Sequence, residues 1–295
     1  MQGRIIKGIA GFYYVQAENE QQYECKAKGI FRKDHQKPLV GDEVHIEILD
    51  EEEKKGSIVE LLPRRSELFR PAVANIDQAI IVFACKDPEP NFNLLDRFLV
   101  LMEKRSVPVI LCFTKSDLAD SEFRQNAESI YEKSGYQVCF TDYSDFECEG
   151  YKKLEHLLKG KVTAFAGPSG VGKSTLVNHL CPKAGMDTGE VSEKIRRGKH
   201  TTRHSEIFYL GEQTFLFDTP GFSSLDVLSL EKEELELLFP EFEPFLGECR
   251  FTGCSHISEP SCRIKQAVED GIISSQRYES YKAFYKELNA VKKYR

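Results

Sequence analysis

A mostly parallel α/β sheet bearing a phosphate-binding loop, with a small β-barrel before it and a compact metal-binding helical region after it, is the architecture this 295-residue sequence predicts. Three observations predict it. Continuous apolar runs at residues 78–84, 108–113 and 162–166 have the character of strands buried on both faces, and helix-like segments separate them. The last run leads into Gly167-Pro168-Ser169-Gly170-Val171-Gly172-Lys173-Ser174, which matches the phosphate-loop pattern G-x-x-x-x-G-K-S/T between a strand and a helix. Cys249, Cys254, His256 and Cys262 then fall within one short, turn-rich stretch.

Length and composition set the frame. The pattern divides the chain at residues 1–66, 67–228 and 229–295. A formal net charge of -7 argues against a wholly basic nucleic-acid coat but leaves room for a basic face on one domain. No apolar run approaches the roughly 20 residues that span a bilayer, and the N-terminus lacks the apolar core of a secretion signal, so no membrane partner and a cytoplasmic location are expected. Of the nine cysteines, Cys85, Cys112 and Cys139 sit in or beside strand-like runs, where a thiol is a small buried hydrophobe.

The N-terminal region alternates short β-compatible runs, residues 3–8, 11–15, 22–27, 42–48 and 56–61, with turns. Val44-His45-Ile46-Glu47-Ile48 alternates apolar and polar residues as a strand with one wet face does. Several short strands and little helix signal suggest a five-stranded barrel of the oligonucleotide-binding (OB) type. Arg4, Lys7, Lys26, Lys28, Arg32 and Lys33 lie near Tyr13, Tyr14, Tyr23 and Phe31 and could form a basic, aromatic face for RNA. A barrel that only packs on its neighbour is the alternative.

In the second block, residues 78–84 and 108–113 flank a helix-like segment at 93–104, and a further helix at 121–131 precedes a strand at 137–140. The strand at 108–113 ends in Thr114-Lys115-Ser116-Asp117, at the carboxyl end where such sheets bind ligands. A carboxylate at Asp117 can accept two hydrogen bonds from the N1–H and 2-amino group of guanine, a donor pair adenine lacks, while the stem of Lys115 lies along the base. In isolation a charged turn after a strand looks the same. A phosphate loop in the same inferred sheet is what favours guanine.

In that loop, Gly167, Gly170 and Gly172 let backbone N–H groups converge on phosphate oxygens, with Pro168, Ser169 and Val171 between them. Lys173 can reach the outer phosphates, the Ser174 hydroxyl can ligate magnesium, and Thr175 opens the helix expected at 175–180. Downstream, residues 194–204 form a basic segment without period that contains Thr201, Thr202 and His204. Such a loop suits a triphosphate sensor, since a Thr such as Thr202 can join the magnesium shell, and it equally suits an exposed basic loop or an RNA contact. A hairpin at 205–210 and 213–217 ends in Asp218-Thr219-Pro220-Gly221, where Asp218 can hold magnesium and the Gly221 N–H can sense the third phosphate. The next residue is Phe222, which cannot orient an attacking water.

The C-terminal region has helix-like segments at 231–238, 262–269 and 275–293. Three thiolates and an imidazole from Cys249, Cys254, His256 and Cys262 can close a tetrahedral structural zinc site, although the spacing C-x4-C-x-H-x5-C is not that of the usual finger. The aromatic stripe Tyr278, Tyr281, Phe284 and Tyr285 reads as core packing.

The base motif precedes the phosphate loop, the reverse of the usual regulatory order. The same sheet still forms, because each motif occupies the carboxyl end of a parallel strand; the order is a circular permutation. Barrel, permuted order and C-x4-C-x-H-x5-C together resemble the circularly permuted bacterial GTPases of the RsgA family, also called YjeQ or YloQ, over essentially the whole chain. The resemblance implies a GTPase that binds the small ribosomal subunit and its rRNA late in maturation, is stimulated by it, and acts as a monomer with magnesium and structural zinc. Residues 167–174 resemble the first motif, Thr201 and Thr202 the switch region, 218–221 the third motif and 114–117 the base motif. His204 resembles the family's candidate for activating water. Thr114 departs from the more usual Asn, and no clear fifth motif stands at residues 140–144. The rival readings are an RNA-binding scaffold with a structural nucleotide site, or another P-loop nucleotide triphosphatase.

Overall fold

The computed structural model describes residues 1–28, 31, 37–69, 72–182, 206–218 and 230–290. In chain order the strands β1 to β13 are Gln2–Ile9, Phe12–Ala17, Gln22–Ala27, Glu43–Asp50, Lys55–Leu61, Glu67–Phe69, Ala72–Ala74, Gln78–Ala84, Val109–Thr114, Gln137–Phe140, Val162–Ala166, Glu206–Gly211 and Thr214–Asp218. The helices α1 to α6 are Phe92–Glu103, Ser121–Glu132, Glu149–Leu158, Lys173–Leu180, Arg263–Glu269 and Ser275–Ala290. Two compact units emerge, Met1–Ile80 with Tyr151–Ser223 and Ile81–Gly150 with Ser224–Arg295, and the division falls inside β8.

In the first unit, β1, β2, β3, β5 and β4 follow one another in hydrogen-bonded order, and β4 pairs back onto β1 to close a five-stranded OB barrel. Only β3 and β5 run parallel within it. Alternation explains the filling: Val44 and Ile46 of β4 point inward with Ile5, Val15, Tyr23, Cys25 and Ile58, while His45 between them is half-buried and Glu47 after them is exposed. A register shift between Ile5 and Lys7 marks the irregularity in β1, which pairs with β4 at one end and β2 along its length. At Lys7 the same strand also pairs with β12, which runs antiparallel to β13, which in turn runs parallel to β11.

The turn before β4 is fixed by a close approach. Gly41 has φ +96, and a Cβ there would overlap the carbonyl oxygen of Ala74. Next to it the fully buried Asp42 accepts two bonds from Arg64, at 2.7 Å and 2.9 Å, and one from the Leu39 N–H at 2.7 Å. A buried carboxylate is tolerated only when paired in this way. The short β6–β7 hairpin beside it carries no periodic signature in the sequence.

In the second unit, β10, β9 and β8 are neighbours, with β9 and β10 parallel. Every residue of β8 and β9 is buried, as their unbroken apolar runs require. Helices α1 and α2 begin where side chains cap them: Asn91 accepts from the Leu94 N–H at 2.9 Å and Asp120 from the Phe123 N–H at 2.7 Å. Cys85, Cys112 and Cys139 are buried, and burial pushes the Cys85 thiol up to about 12, in keeping with their reading as packing residues.

The C-terminal region of this unit differs in one element from expectation. The helix at 231–238 is a 3-10 run, Lys232–Leu238, followed by a second, Pro240–Phe245. Pro240 and Pro244 have no N–H to donate, so the chain cannot continue as α-helix there. The last helix ends at Ala290 among the described residues. Its core gathers Leu235, Phe239, Phe242, Ile264, Tyr281 and Phe284, and it includes Val100 from α1. Through this core runs a buried ion triad. Arg277, fully buried, donates to Asp96 of α1 at 2.8 Å and to Glu241 at 2.7 Å and 3.2 Å. Burial opposes the guanidinium's charge, but the two carboxylates outweigh it and hold the Arg277 pKa well above its ordinary value. The same burial raises Asp96, against the pull of Arg277.

Candidate nucleotide motifs and metal centre

In the first unit the phosphate loop leaves the buried strand β11 and enters α4. Gly167, Gly170 and Gly172 have φ of 145°, 79° and 85°, conformations that a side chain disfavours. Gly172 is the N-cap, so the helix starts at Lys173, two residues before the sequence-based boundary, and Lys173, Ser174 and Thr175 fill its first turn. The first N–H groups of any helix lack an intrahelical acceptor, so an end of this kind can receive an anion. The Lys173 ammonium donates to the carbonyls of Gly167 at 2.8 Å and Pro168 at 2.5 Å, folding over its own loop. Val171, Leu176 and Val177 are buried and anchor the loop from beneath, while Ser169 and Gly170 are exposed. Asp218, the last residue of β13, is in parallel register with Phe165 of β11, so its backbone stands beside the strand end that launches the loop. Thr201, Thr202, His204 and Gly221 lie outside the described residues.

In the second unit the base motif follows β9. Thr114 is buried, with its hydroxyl donating to the Phe83 carbonyl at 3.4 Å. Lys115 takes φ 54° and its ammonium donates to the Asp87 carbonyl. The Ser116 N–H donates to the Thr141 carbonyl at 3.1 Å, which ties the motif to the segment after β10. Asp117 is exposed, and no hydrogen bond or ion pair engages its carboxylate among the described residues.

The metal centre also belongs to the second unit. One donor atom from each of Cys249, Cys254, His256 and Cys262 lies within 4.8 Å of all the others. The Cys249 and Cys262 sulfurs are 3.9 Å apart, close to the ~3.8 Å edge of a tetrahedron with 2.3 Å zinc–sulfur bonds. His256 Nδ1 faces the sulfurs of Cys262 and Cys249 at 3.3 Å and 3.6 Å, and its Nε2 is 2.7 Å from Glu236 Oε2. A carboxylate behind a metal-binding imidazole fixes the ring and its tautomer. Sequence reasoning missed Glu236 because nothing in its local spacing marks it. Around the centre, Tyr278 and Tyr281 donate to the carbonyls of His256 and Ser255 at 2.7 Å and 2.9 Å. Burial works against the Glu259 carboxylate, but the hydroxyl and N–H of Ser255 and the Ile257 N–H bring it down to about 2. Donor type, spacing and the Glu236 brace all fit a tetrahedral soft-metal site.

An OB barrel, a parallel sheet with a phosphate loop, a base motif upstream of that loop and a Cys/His metal-binding helical region define a circularly permuted P-loop GTPase fold. The RsgA N-terminal domain family matches residues 2–58 and the RsgA GTPase family residues 61–228. The small ribosomal subunit biogenesis GTPase RsgA of Agathobacter rectalis is 53% identical, with all of both chains covered, and its counterpart in Alkaliphilus metalliredigens is 49% identical over 99% of each. Two solved structures share the architecture. YloQ, a circularly permuted GTPase, has a TM-score of 0.81 at 38% identity, covering 98% of this chain and 94% of that one. YjeQ from Thermotoga maritima has a TM-score of 0.83 at 33% identity, covering 99% of each. The chain belongs to the RsgA family of GTPases. Among the described residues no helix is long and apolar enough to cross a membrane.

Proposed function

We propose that this protein hydrolyses GTP to GDP and phosphate while bound to the small ribosomal subunit, during the subunit's late maturation. The observation behind this is the 53% identity, along the entire chain, to a relative named as a small ribosomal subunit biogenesis GTPase. Asp117 and Lys115 read the guanine base. The N–H groups of Gly167 and of residues 169–175 cradle the phosphates, and Lys173 leaves its loop carbonyls to offset their negative charge. Ser174, Thr202 and Asp218 would hold magnesium, which when bound neutralises charge between the outer phosphates. Thr201 and the Gly221 N–H sense the third phosphate, and His204 orients the attacking water. The Cys249, Cys254, His256 and Cys262 centre holds structural zinc. The protein works as a cytoplasmic monomer, with the OB barrel against rRNA.

Contact between rRNA and the basic switch segment makes turnover faster on the subunit than alone. A steady-state GTP turnover assay with and without small subunits tests this. Tight nucleotide binding with no turnover in either condition would instead indicate an assembly scaffold.

A further inference from the structure

The base motif is a short turn, and a short turn alone does not set the direction of its carboxylate. Ser116–Leu118 is a single 3-10 turn, entered through the left-handed Lys115 and closed by the Leu118 N–H to the Lys115 carbonyl at 3.0 Å and the Ala119 N–H to the Ser116 carbonyl at 3.3 Å. Such turns have poor hydrogen-bond geometry and little stiffness of their own. Asp117 sits in the middle of it, exposed. The peptide unit joining Ser116 to Asp117 contains the Ser116 carbonyl and the Asp117 nitrogen, and it is planar. Any rotation of that plane therefore swings Asp117.

Two groups from outside the turn grip Ser116. Its N–H is held by the Thr141 carbonyl, and its carbonyl accepts from the Nη2 of Arg124. Arg124 is in the first turn of α2, whose start is pinned by the Asp120 cap. Its guanidinium lies 5.9 Å over the Phe140 ring, and Phe140 stacks on Phe113 of β9 at 5.5 Å. The donor is thus braced by the same sheet that carries the motif, and the charge strengthens its bond to the carbonyl.

We infer that Arg124 is a positioning residue for base selection: it clamps the Ser116–Asp117 peptide so that the Asp117 carboxylate meets the N1–H and 2-amino donors of guanine together. The inference rests on the base-reading role proposed for Asp117. A clamp of this kind affects the base contact while leaving the phosphate cradle alone. Its loss weakens guanine nucleotides more than nucleotides without the 2-amino group, because inosine has less to lose from a misaligned carboxylate.

The test is equilibrium binding to the full-length chain, with a fluorescent GDP displaced by GDP, inosine diphosphate or xanthosine diphosphate. Arg124→Gln should weaken GDP about 10-fold and inosine diphosphate by about 2-fold or less, so that the preference between them shrinks. Arg124→Lys keeps a charged donor and should restore most of the preference. Phe140→Leu removes the floor beneath the guanidinium and should give an intermediate loss, which serves if the Gln variant does not fold. Equal weakening of GDP and inosine diphosphate in Arg124→Gln, or no recovery in Arg124→Lys, overturns the inference. Asp117→Asn is the separate control. An amide presents one donor and one acceptor, which match the 2-oxo and N1–H groups of xanthine, so the preference should move to xanthosine diphosphate. If it does not, the base-reading role of Asp117 has failed; if it does while Arg124→Gln leaves the preference intact, only the clamp has.

Discussion

Arg277→Met tests what holds the C-terminal region to α1. The substitution keeps an apolar side chain of similar length and removes the guanidinium between Asp96 and Glu241, whose side chains are 0% and 3% exposed. Two carboxylates are then left buried without a cation, Asp96 keeping only hydroxyl donors such as Tyr131 at 3.1 Å. Breaking a buried ion pair on one side costs about 3–5 kcal/mol, a large part of a typical domain stability of about 5–15 kcal/mol. The pH dependence follows from the sign of the shift. Desolvation raises Asp96 above its unfolded value and Arg277 no longer opposes it in the variant, so the penalty is full near neutrality and shrinks as the pH falls and this carboxyl takes up a proton. Urea unfolding followed by circular dichroism and tyrosine emission reports it, as the chain has no Trp. The triple variant Asp96→Asn, Glu241→Gln, Arg277→Met removes the stranded charges and should recover most of the loss. A single-variant loss below about 1 kcal/mol at neutral pH, or a triple variant no more stable than the single, would refute the reasoning.

Three further outcomes are expected. Glu236→Gln, which weakens the brace on His256 Nε2, should lower zinc affinity about 10-fold to 100-fold in a chelator competition, and unchanged affinity would remove Glu236 from the site. Lys173→Ala should weaken GTP far more than guanosine, since the lost contact is to phosphate; equal loss for both would contradict its role. The Arg97 bond holds Glu287 below the ordinary carboxylate value, so the pair stabilises above about pH 4.5 and the contribution fades as Glu287 is protonated in more acid solution. The stability difference between the wild type and Glu287→Gln should therefore narrow at low pH, and a difference constant with pH would show the pair contributes nothing.

The clearest match between sequence and structure is where chemistry is local. Val44 and Ile46 had to share a face, and they line the barrel. Gly172 had to permit a left-handed turn, and it caps α4. The apolar run at 78–84 had to be buried on both sides, and it is. Boundaries differ where a left-handed glycine sets the helix start, as at Lys173, or where proline stops the helix, as after Leu238.

Local backbone preference and the spacing of chemical groups were enough to write the barrel strands, the phosphate loop, the permuted motif order and the Cys/His donor set into the chain. Folding in three dimensions alone decided that β4 closes on β1, that Glu236 stands behind His256, that Arg124 holds Ser116, and that Arg277 meets Asp96 across 181 positions. The reason is physical. A strand, a glycine turn or a thiol cluster leaves its signature within a few residues, whereas a buried cation and its carboxylates need only meet in space, and their separation along the chain imposes no period that a sequence can display.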